Sequence, residues 1–263
     1  APPEKQGFVM GVFLSFAGFG LAAGPTLAGF IIETLNWRWI FYINIPLSIA
    51  VIIILMMYSS KDVIEKAQEK IDVMGTVFLT AGLCITVYAI NQIDIWGVKS
   101  VHFWGVLTAG LTLLVTFIFY NKNKAVQMLP THLFRNKVFM AATWAEFFMS
   151  MNFALVLVML GLYLQNTLHY SSYETGLIFI SLTISMGVLS PIGGRLIDAF
   201  GIKGPMTFGA LCTALGFGLM AFLGTHSSLI FVLSVMFTVG IGMGVFFTAC
   251  STAMMRSVPS QDM

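Results

Sequence analysis

The chain has 263 residues, of which 58% are apolar and only 9% charged, against about a quarter charged in a soluble globular domain. A water-soluble fold is excluded, and thirteen Lys and Arg against eleven Asp and Glu, a formal charge of +2, exclude the dominant basic patch of a nucleic-acid binder. Cys84, Cys212 and Cys250 lie in apolar runs with no partner nearby in sequence, so neither a disulfide framework nor a zinc site is signalled, and all three read as small buried thiols. No basic stretch followed by a short apolar core opens the chain, which does not begin with Met.

A bilayer core about 30 Å thick needs roughly 20 apolar residues in helical form. Eight predominantly apolar runs approach that length: Gly7 to Ile32, Trp39 to Tyr58, Val73 to Ile93, Val101 to Tyr120, Val138 to Leu164, Thr175 to Gly194, Pro205 to Gly224 and Leu229 to Ala253. Backbone left unpaired in lipid is intolerable and none of these runs alternates polar and apolar residues, so each predicts a helix rather than a barrel strand. The expected fold is an all-α, polytopic membrane protein with eight transmembrane helices. Its lipid partner is the bilayer itself.

In chain order, the first run is rich in small residues, which let membrane helices approach closely. At 100° per residue Gly7, Gly11, Ser15, Gly18, Ala22 and Gly29 form one face, and Ala17, Gly20, Gly24 and Ala28 form another. Two close neighbours are expected. Pro25 frees the carbonyl of Leu21 and predicts a bend. The run is either a seam between moving halves or merely a well-packed glycine-rich helix. Trp37, Trp39, Trp96 and Trp104 lie near run ends as interfacial anchors.

Ser59 to Asp72 and Asn121 to Lys137 are charged connections that bracket the third and fourth runs. They divide the chain into a leading pair (1–58), a linker (59–72), a middle pair (73–120), a second linker (121–137) and a trailing group of four (138–263). Asp72 stands where a carboxylate caps the following helix. Placing the start, the even-numbered connections and the end on one side collects eleven of thirteen Lys and Arg, leaving only Arg38 and Lys99 opposite. By the positive-inside bias, both ends and the longer connections are expected in the cytoplasm.

Only one acid lies well inside a run. Glu146 sits eight residues into the fifth, about 12 Å along by helical rise. Thr143, Glu146 and Ser150 share a stripe that Gly161 continues, while Asn152 points away. Intramembrane carboxylates are costly and mark ion or proton paths. Glu146 is either a proton or cation site, or a structural carboxylate bonded to a neighbouring helix or reaching the interface. The connection after the sixth run, residues 193–205, holds Asp198 among Gly201, Gly204 and Pro205. Asp198 there either latches a helix N-terminus or belongs to an ordinary solvated turn. His102, His132, His169 and His226 are scattered, and no catalytic or metal-binding grouping appears. Gly240, Gly242 and Gly244 lie mid-run with no preceding strand, so they read as packing glycines.

Three of these stretches together resemble the major facilitator superfamily, specifically the 14-span drug:proton antiporters of EmrB/QacA type. Gly11, Gly20, Gly24, Pro25 and Gly29 match the antiporter motif, with Ala28 in place of its penultimate glycine. The stretch 37–46, with Trp37, Arg38, Trp39, Asn44 and Pro46, resembles the subfamily signature after that helix. Gly194, Leu196, Asp198, Gly201 and Lys203 resemble the superfamily's loop motif, two of whose basic positions are here Ala199 and Ile202.

The resemblance implies that the chain is an internal fragment covering spans five to twelve. The leading pair would then finish an N-terminal bundle, the middle pair would be the two additional helices, and the last four would begin a C-terminal bundle. It implies a proton-coupled exporter of small hydrophobic or cationic compounds in a bacterial cytoplasmic membrane, with no cofactor and the proton gradient as energy source. Glu146 would be the coupling site, Pro25 and its glycines the interbundle seal, and Asp198 with Lys203 a cytoplasmic gate. A transporter of a defined solute such as a sugar, amino acid or siderophore, and a non-transporting sensor on the same scaffold, stand as alternatives. An enzyme is disfavoured for want of a catalytic constellation. Neither pocket members nor an accessory protein can be read from the generic Phe and Met content.

Overall fold

A computed structural model describes residues 5–58, 72–124 and 131–258. Most of the two charged connections, at 59–71 and 125–130, falls outside them, and with it the expected linker structure. Among the described residues all regular structure is helical. The elements are α1 (Gln6–Thr34), α2 (Trp39–Tyr42), α3 (Asn44–Tyr58), α4 (Val73–Asn91), α5 (Ile93–Trp96), α6 (Val101–Lys122), α7 (Lys137–Leu155), α8 (Gly161–Asn166), α9 (Ser172–Phe200), α10 (Lys203–Met220) and α11 (Leu229–Ser257). A 3₁₀ turn, Thr131–Arg135, precedes α7, and a π-helical segment, Val156–Leu160, joins α7 to α8.

Seven helical stretches are long and apolar enough to cross a membrane: α1, Trp39–Met57, α4, α6, Lys137–Asn166, α9 and α11. The expected eighth, α10, forms as a helix but has 18 residues, starts at a lysine and is diluted by four glycines, so length and composition alone do not mark it as a span. The helix starts follow local chemistry. Ser100, Asn136 and Ser228 cap α6, α7 and α11 with side-chain oxygens, and Ser171 forms a capping box with Glu174 at α9. Gly201, at φ 81°, ends α9 in a conformation that suits glycine, whereas Gly204 lies within the first turn of α10. Pro46 falls in the first turn of α3, where a missing amide costs nothing.

The described chain divides into two units, residues 1–59 with 136–263, and 60–135. The smaller is the antiparallel pair α4 and α6. A Cβ on Gly82 would stand 2.8 Å from the Leu114 side chain, and one on Gly110 would meet Thr86, so these glycines set the close approach of the two helices. Asp72 caps α4 through Gly75 N at 3.0 Å, receives the Tyr120 hydroxyl at 3.2 Å, and lies 3.6 Å from Lys124 Nζ. Its carboxyl is held below the usual range first by the Gly75 amide, against the opposing cost of burial, with Lys124 and Tyr120 adding. The Lys124 ammonium is raised in turn, first by its hydrogen bond with Tyr120.

In the larger unit α9 and α11 form the buried centre, with Leu182, Val235, Met236, Val239 and Met243 almost wholly enclosed. Gly240 and Gly244 press on the α9 backbone at Leu182 and Met186, while Gly242 presses on α10 at Thr213 and Gly209. Two helix faces of α11 are thus cleared for two neighbours, and the packing reading of these three glycines holds. The cysteines differ from expectation: Cys250 is buried, Cys212 is half-buried and Cys84 is exposed on α4. The described residues of α3, 44–57, are exposed around the whole helix. An apolar helix uncovered on every side must be covered by lipid or by protein outside these contacts.

Candidate functional site

The most extensive helix pairing in the larger unit is between α1 and α9, which run antiparallel from one end to the other. Gly7 meets Gly194, Gly11 meets Ser190 and Pro191, Gly18 meets Gly187, and Gly29 meets Ser172 and Tyr173. Most of these approaches leave no room for a Cβ: at Gly29 one would stand 2.6 Å from the Ser172 carbonyl oxygen. Hydroxyls cross the seam as well, from Ser15 to the Gly187 carbonyl at 2.6 Å and from Thr26 to the Gly176 carbonyl at 3.0 Å. Where apolar attraction between helices is weak, such backbone contact and interhelical bonding hold a pair together.

The two small-residue faces expected on α1 behave differently. The face with Gly7, Gly11, Ser15, Gly18 and Gly29 makes the seam. On the other face, Gly20 and Gly24 have nothing within 4 Å of where a Cβ would be, so the second close neighbour is not among the described residues. The antiporter-like glycines are therefore split: Gly11 and Gly29 lie in the seam, Gly20 and Gly24 on the open side. Pro25 lies inside an unbroken α1, and its carbonyl lies 2.8 Å from a Cβ built on Gly176.

Each end of the seam is closed by a carboxylate. Lys5 offers α1 no side-chain cap and the first turn of α1 carries no acid. That role is taken from another helix: Gly7 N donates to Asp198 Oδ1 and Phe8 N to Asp198 Oδ2, each at 2.9 Å. Arg256, the basic residue in the last turn of α11, reaches the same Oδ1 at 2.7 Å. The Arg195 guanidinium lies 4.8 Å from the centre of the Phe8 ring. Three helices are joined at one carboxylate that is 12% exposed. A negative charge on unsatisfied first-turn amides is favourable by both hydrogen bonding and the helix dipole. At the opposite end Glu33, in the last turn of α1, accepts from Tyr173 N in the first turn of α9 at 3.0 Å. Each helix thus lends an acid to its partner's N-terminus.

The expected residues of the loop motif fall into place unevenly. Gly194 and Asp198 are inside α9 rather than in a turn, and Gly194 is where the two backbones touch. Lys203 is exposed at the start of α10, and the cation on Asp198 is Arg256. The Trp37 to Pro46 stretch follows α1 at the Glu33 end. There Arg38 stacks on Trp37 at 4.5 Å, Asn36 receives the Arg38 amide, and Asn44 Nδ2 donates to the Ile40 carbonyl at 2.7 Å. These are local bonds of the connection.

Glu146 faces α11. Cys250 of α11 stands beside its carboxylate, and Oε2 is buried with no hydrogen-bond partner. One turn away Thr143 Oγ1 donates to the Phe139 carbonyl at 2.9 Å and lies 3.6 Å from Met254 Sδ, and Asn136 Nδ2 donates to the Ser257 carbonyl at 3.1 Å. The stripe expected to run from Thr143 to Gly161 is broken. Ser150 is exposed, and Gly161 turns to Phe179 of α9 instead of α11. The π segment between them inserts extra backbone, and one residue rotates a helix face by about 100°. Among the described residues no group of acids, histidines and cysteines could hold a metal ion.

Sequence reading missed Glu33 and gave Arg256 no partner. Both stand at the ends of apolar runs, in the last turn of a helix, where Glu33 meets a first-turn amide of α9 and Arg256 meets the Asp198 carboxylate.

Lipid-length helices, a glycine-lined seam and carboxylate clasps at its ends define a multi-pass membrane protein organised around one tightly apposed helix pair. The chain matches the Major Facilitator Superfamily over residues 1–263 and belongs to it. It is 29% identical over 267 residues to the multidrug transporter protein MdtP of Bacillus subtilis (strain 168), covering 99% of this chain and 48% of that protein. With the tetracenomycin C resistance and export protein of Streptomyces glaucescens it shares 27% identity over 265 residues, 99% of this chain and 48% of that one. With the lincomycin resistance protein LmrB of Listeria monocytogenes it shares 28% over 250 residues, 92% and 52%. The chain spans about half the length of the curated relatives it matches.

Proposed function

We propose that this chain forms part of a proton-coupled exporter of hydrophobic compounds, of the 14-span antiporter type, working by alternating access in a bacterial cytoplasmic membrane. The names of its relatives support export of drugs or antibiotics. The observation that carries the mechanism is the Asp198 carboxylate seated on the Gly7 and Phe8 amides in the first turn of α1 and paired with Arg256. Such a contact is strong when closed and leaves only solvated groups when parted, which suits a reversible clasp. With eleven of thirteen Lys and Arg on its side, the Asp198 end is the cytoplasmic one by the positive-inside bias, and the Glu33 end faces outward.

In this reading α1 and α9 are the boundary between two rocking halves, with their glycines as the seal. Glu146 exchanges the proton: its Oε2, buried with no hydrogen-bond partner, takes one up when the surroundings of α7 and α11 change. The energy source is the proton gradient, with no cofactor. In the intact transporter Glu146→Gln inserts normally and loses efflux driven by a proton gradient. Undiminished proton-driven efflux in that variant overturns the assignment.

A further inference from the structure

The side-chain caps of the helices differ in what else they can do. Asp72, Ser100, Ser171 and Ser228 offer a carboxylate or a hydroxyl. Among the described residues Asn136 alone offers an amide, whose oxygen accepts as a cap must and whose nitrogen donates as well. Its Oδ1 accepts from Val138 N at 2.9 Å and from Phe139 N at 3.4 Å, while its Nδ2 donates to the Ser257 carbonyl at 3.1 Å. Ser257 is the last residue of α11, so this carbonyl is one that a helix cannot pair within itself. One side chain thus serves the start of α7 and the end of α11.

That bond opens an antiparallel register. Asn136 meets Ser257, Thr143 Oγ1 lies 3.6 Å from Met254 Sδ, Glu146 stands beside Cys250, and the Phe153 and Phe247 rings meet edge to face with centroids 6.3 Å apart. A thioether is a weak acceptor and the ring contact is apolar, so the Asn136 bond is the firm polar tie in this register. Arg256, on Asp198, directly precedes Ser257. The last turn of α11 is therefore held by α9 through Arg256 and by α7 through Asn136. Glu146 lies ten residues beyond Asn136, about 15 Å by helical rise, with Oε2 buried and unpaired. Cys250 is the titratable group of α11 beside it. The π segment carries none, Lys137 is exposed, and Arg256 is engaged with Asp198.

We propose that Asn136 is a positioning residue that couples Glu146 to the cytoplasmic clasp: through its bond to Ser257, movement of the last turn of α11 at Asp198 passes to α7 and changes the surroundings of the Glu146 carboxyl. Capping alone requires no donor, and serine or aspartate would serve it equally. The amide is what the second bond requires. The inference rests on the reading of Glu146 as the proton site, and it names the link by which the state of that site and the closure of the seam change together.

The test is the pH titration of Glu146 in the intact transporter in nanodiscs, read from the infrared band of its carboxylic acid and assigned by loss of that band in Glu146→Gln. Asn136→Ser and Asn136→Asp both keep a good cap for α7 and both deprive the Ser257 carbonyl of its donor, the first by reach and the second by chemistry. Each moves the titration midpoint by about half a pH unit or more, the scale of one lost hydrogen bond. Asp198→Ala moves it too while Asn136 is present, and adds nothing further in Asn136→Ser. A midpoint unmoved in Asn136→Ser, or shifts from Asn136→Ser and Asp198→Ala that simply sum, overturns the coupling and leaves Asn136 as a cap. A Glu146 band that never titrates removes the proton site and the coupling with it. Failure of the export reading alone looks different: the band titrates with this mutational pattern, yet Glu146→Gln retains proton-driven efflux.

Discussion

Removing the Asp198 carboxylate isolates the clasp. In Asp198→Ala the amides of Gly7 and Phe8 lose acceptors at 2.9 Å and Arg256 loses its partner at 2.7 Å. Two hydrogen bonds to a charged acceptor contribute about 1.5 kcal/mol each and the charge at the helix N-terminus about 0.5 kcal/mol more. The Arg256 side chain is 30% exposed, so its ion pair adds little beyond that. Water replaces part of the loss once the start of α1 is wetted, leaving about 2 kcal/mol, or roughly a thirtyfold shift in the balance of closed and open forms. Asn retains one acceptor oxygen, so Asp198→Asn should fall between. The assay is alkylation of Leu14→Cys, a position packed against the unit's core, by a membrane-impermeant maleimide in everted membranes of a cysteine-free intact transporter. The rate should rise up to about thirtyfold in Asp198→Ala. A rate unchanged within a factor of two, in that variant and in Arg256→Ala alike, refutes the idea that this carboxylate holds the seam shut.

The glycines of α1 should divide by face. Gly11→Val drives a side chain into the Ser190 carbonyl and Pro191, and is expected to lower stability by about 1–3 kcal/mol, read as a fall in thermal midpoint, whereas Gly24→Ala, with nothing within 4 Å of its Cβ, should stay within about 0.5 kcal/mol of wild type or gain slightly. At the other end of the seam Glu33→Gln keeps an acceptor for Tyr173 N while Glu33→Ala removes it, so only the alanine variant should loosen the start of α9 in hydrogen exchange. In the smaller unit the depressed Asp72 carboxyl contributes stability above its unfolded value near pH 4 and loses it as pH falls through its folded value. The raised Lys124 keeps its share until pH climbs past its own elevated value. Asp72→Asn should accordingly lower the unfolding midpoint of the α4–α6 pair at neutral pH, and the difference should disappear in acid, as followed by circular dichroism across pH 2–8.

Apolar run length made the helical membrane fold legible, because lipid leaves backbone no other way to satisfy its polar groups. It placed α10 less securely, since four glycines and Lys203 dilute a short helix. Periodicity picked out both small-residue faces of α1, but spacing cannot say which neighbour a face receives, so Gly7, Gly11 and Gly29 lie in the seam and Gly20 and Gly24 on the open side. Asp198 was recognisable as an acid suited to a helix N-terminus. Its partners were not, because Gly7 lies 191 residues earlier and Arg256 is 58 residues later. The Glu146 stripe was followed correctly for one turn and then lost. A straight 3.6-residue projection does not contain the π segment that turns Gly161 toward α9.

The central claim, that the α1–α9 seam opens and closes at its Asp198 end, is tested most directly by a distance across that end. Spin labels at Lys5→Cys and Phe200→Cys, both exposed beside the clasp, report it in the intact transporter by pulsed electron resonance. The account predicts a short and a long population whose ratio changes with pH or added substrate and shifts to the long one in Asp198→Ala. A single short distance, indifferent to pH, substrate and the loss of Asp198, would contradict it.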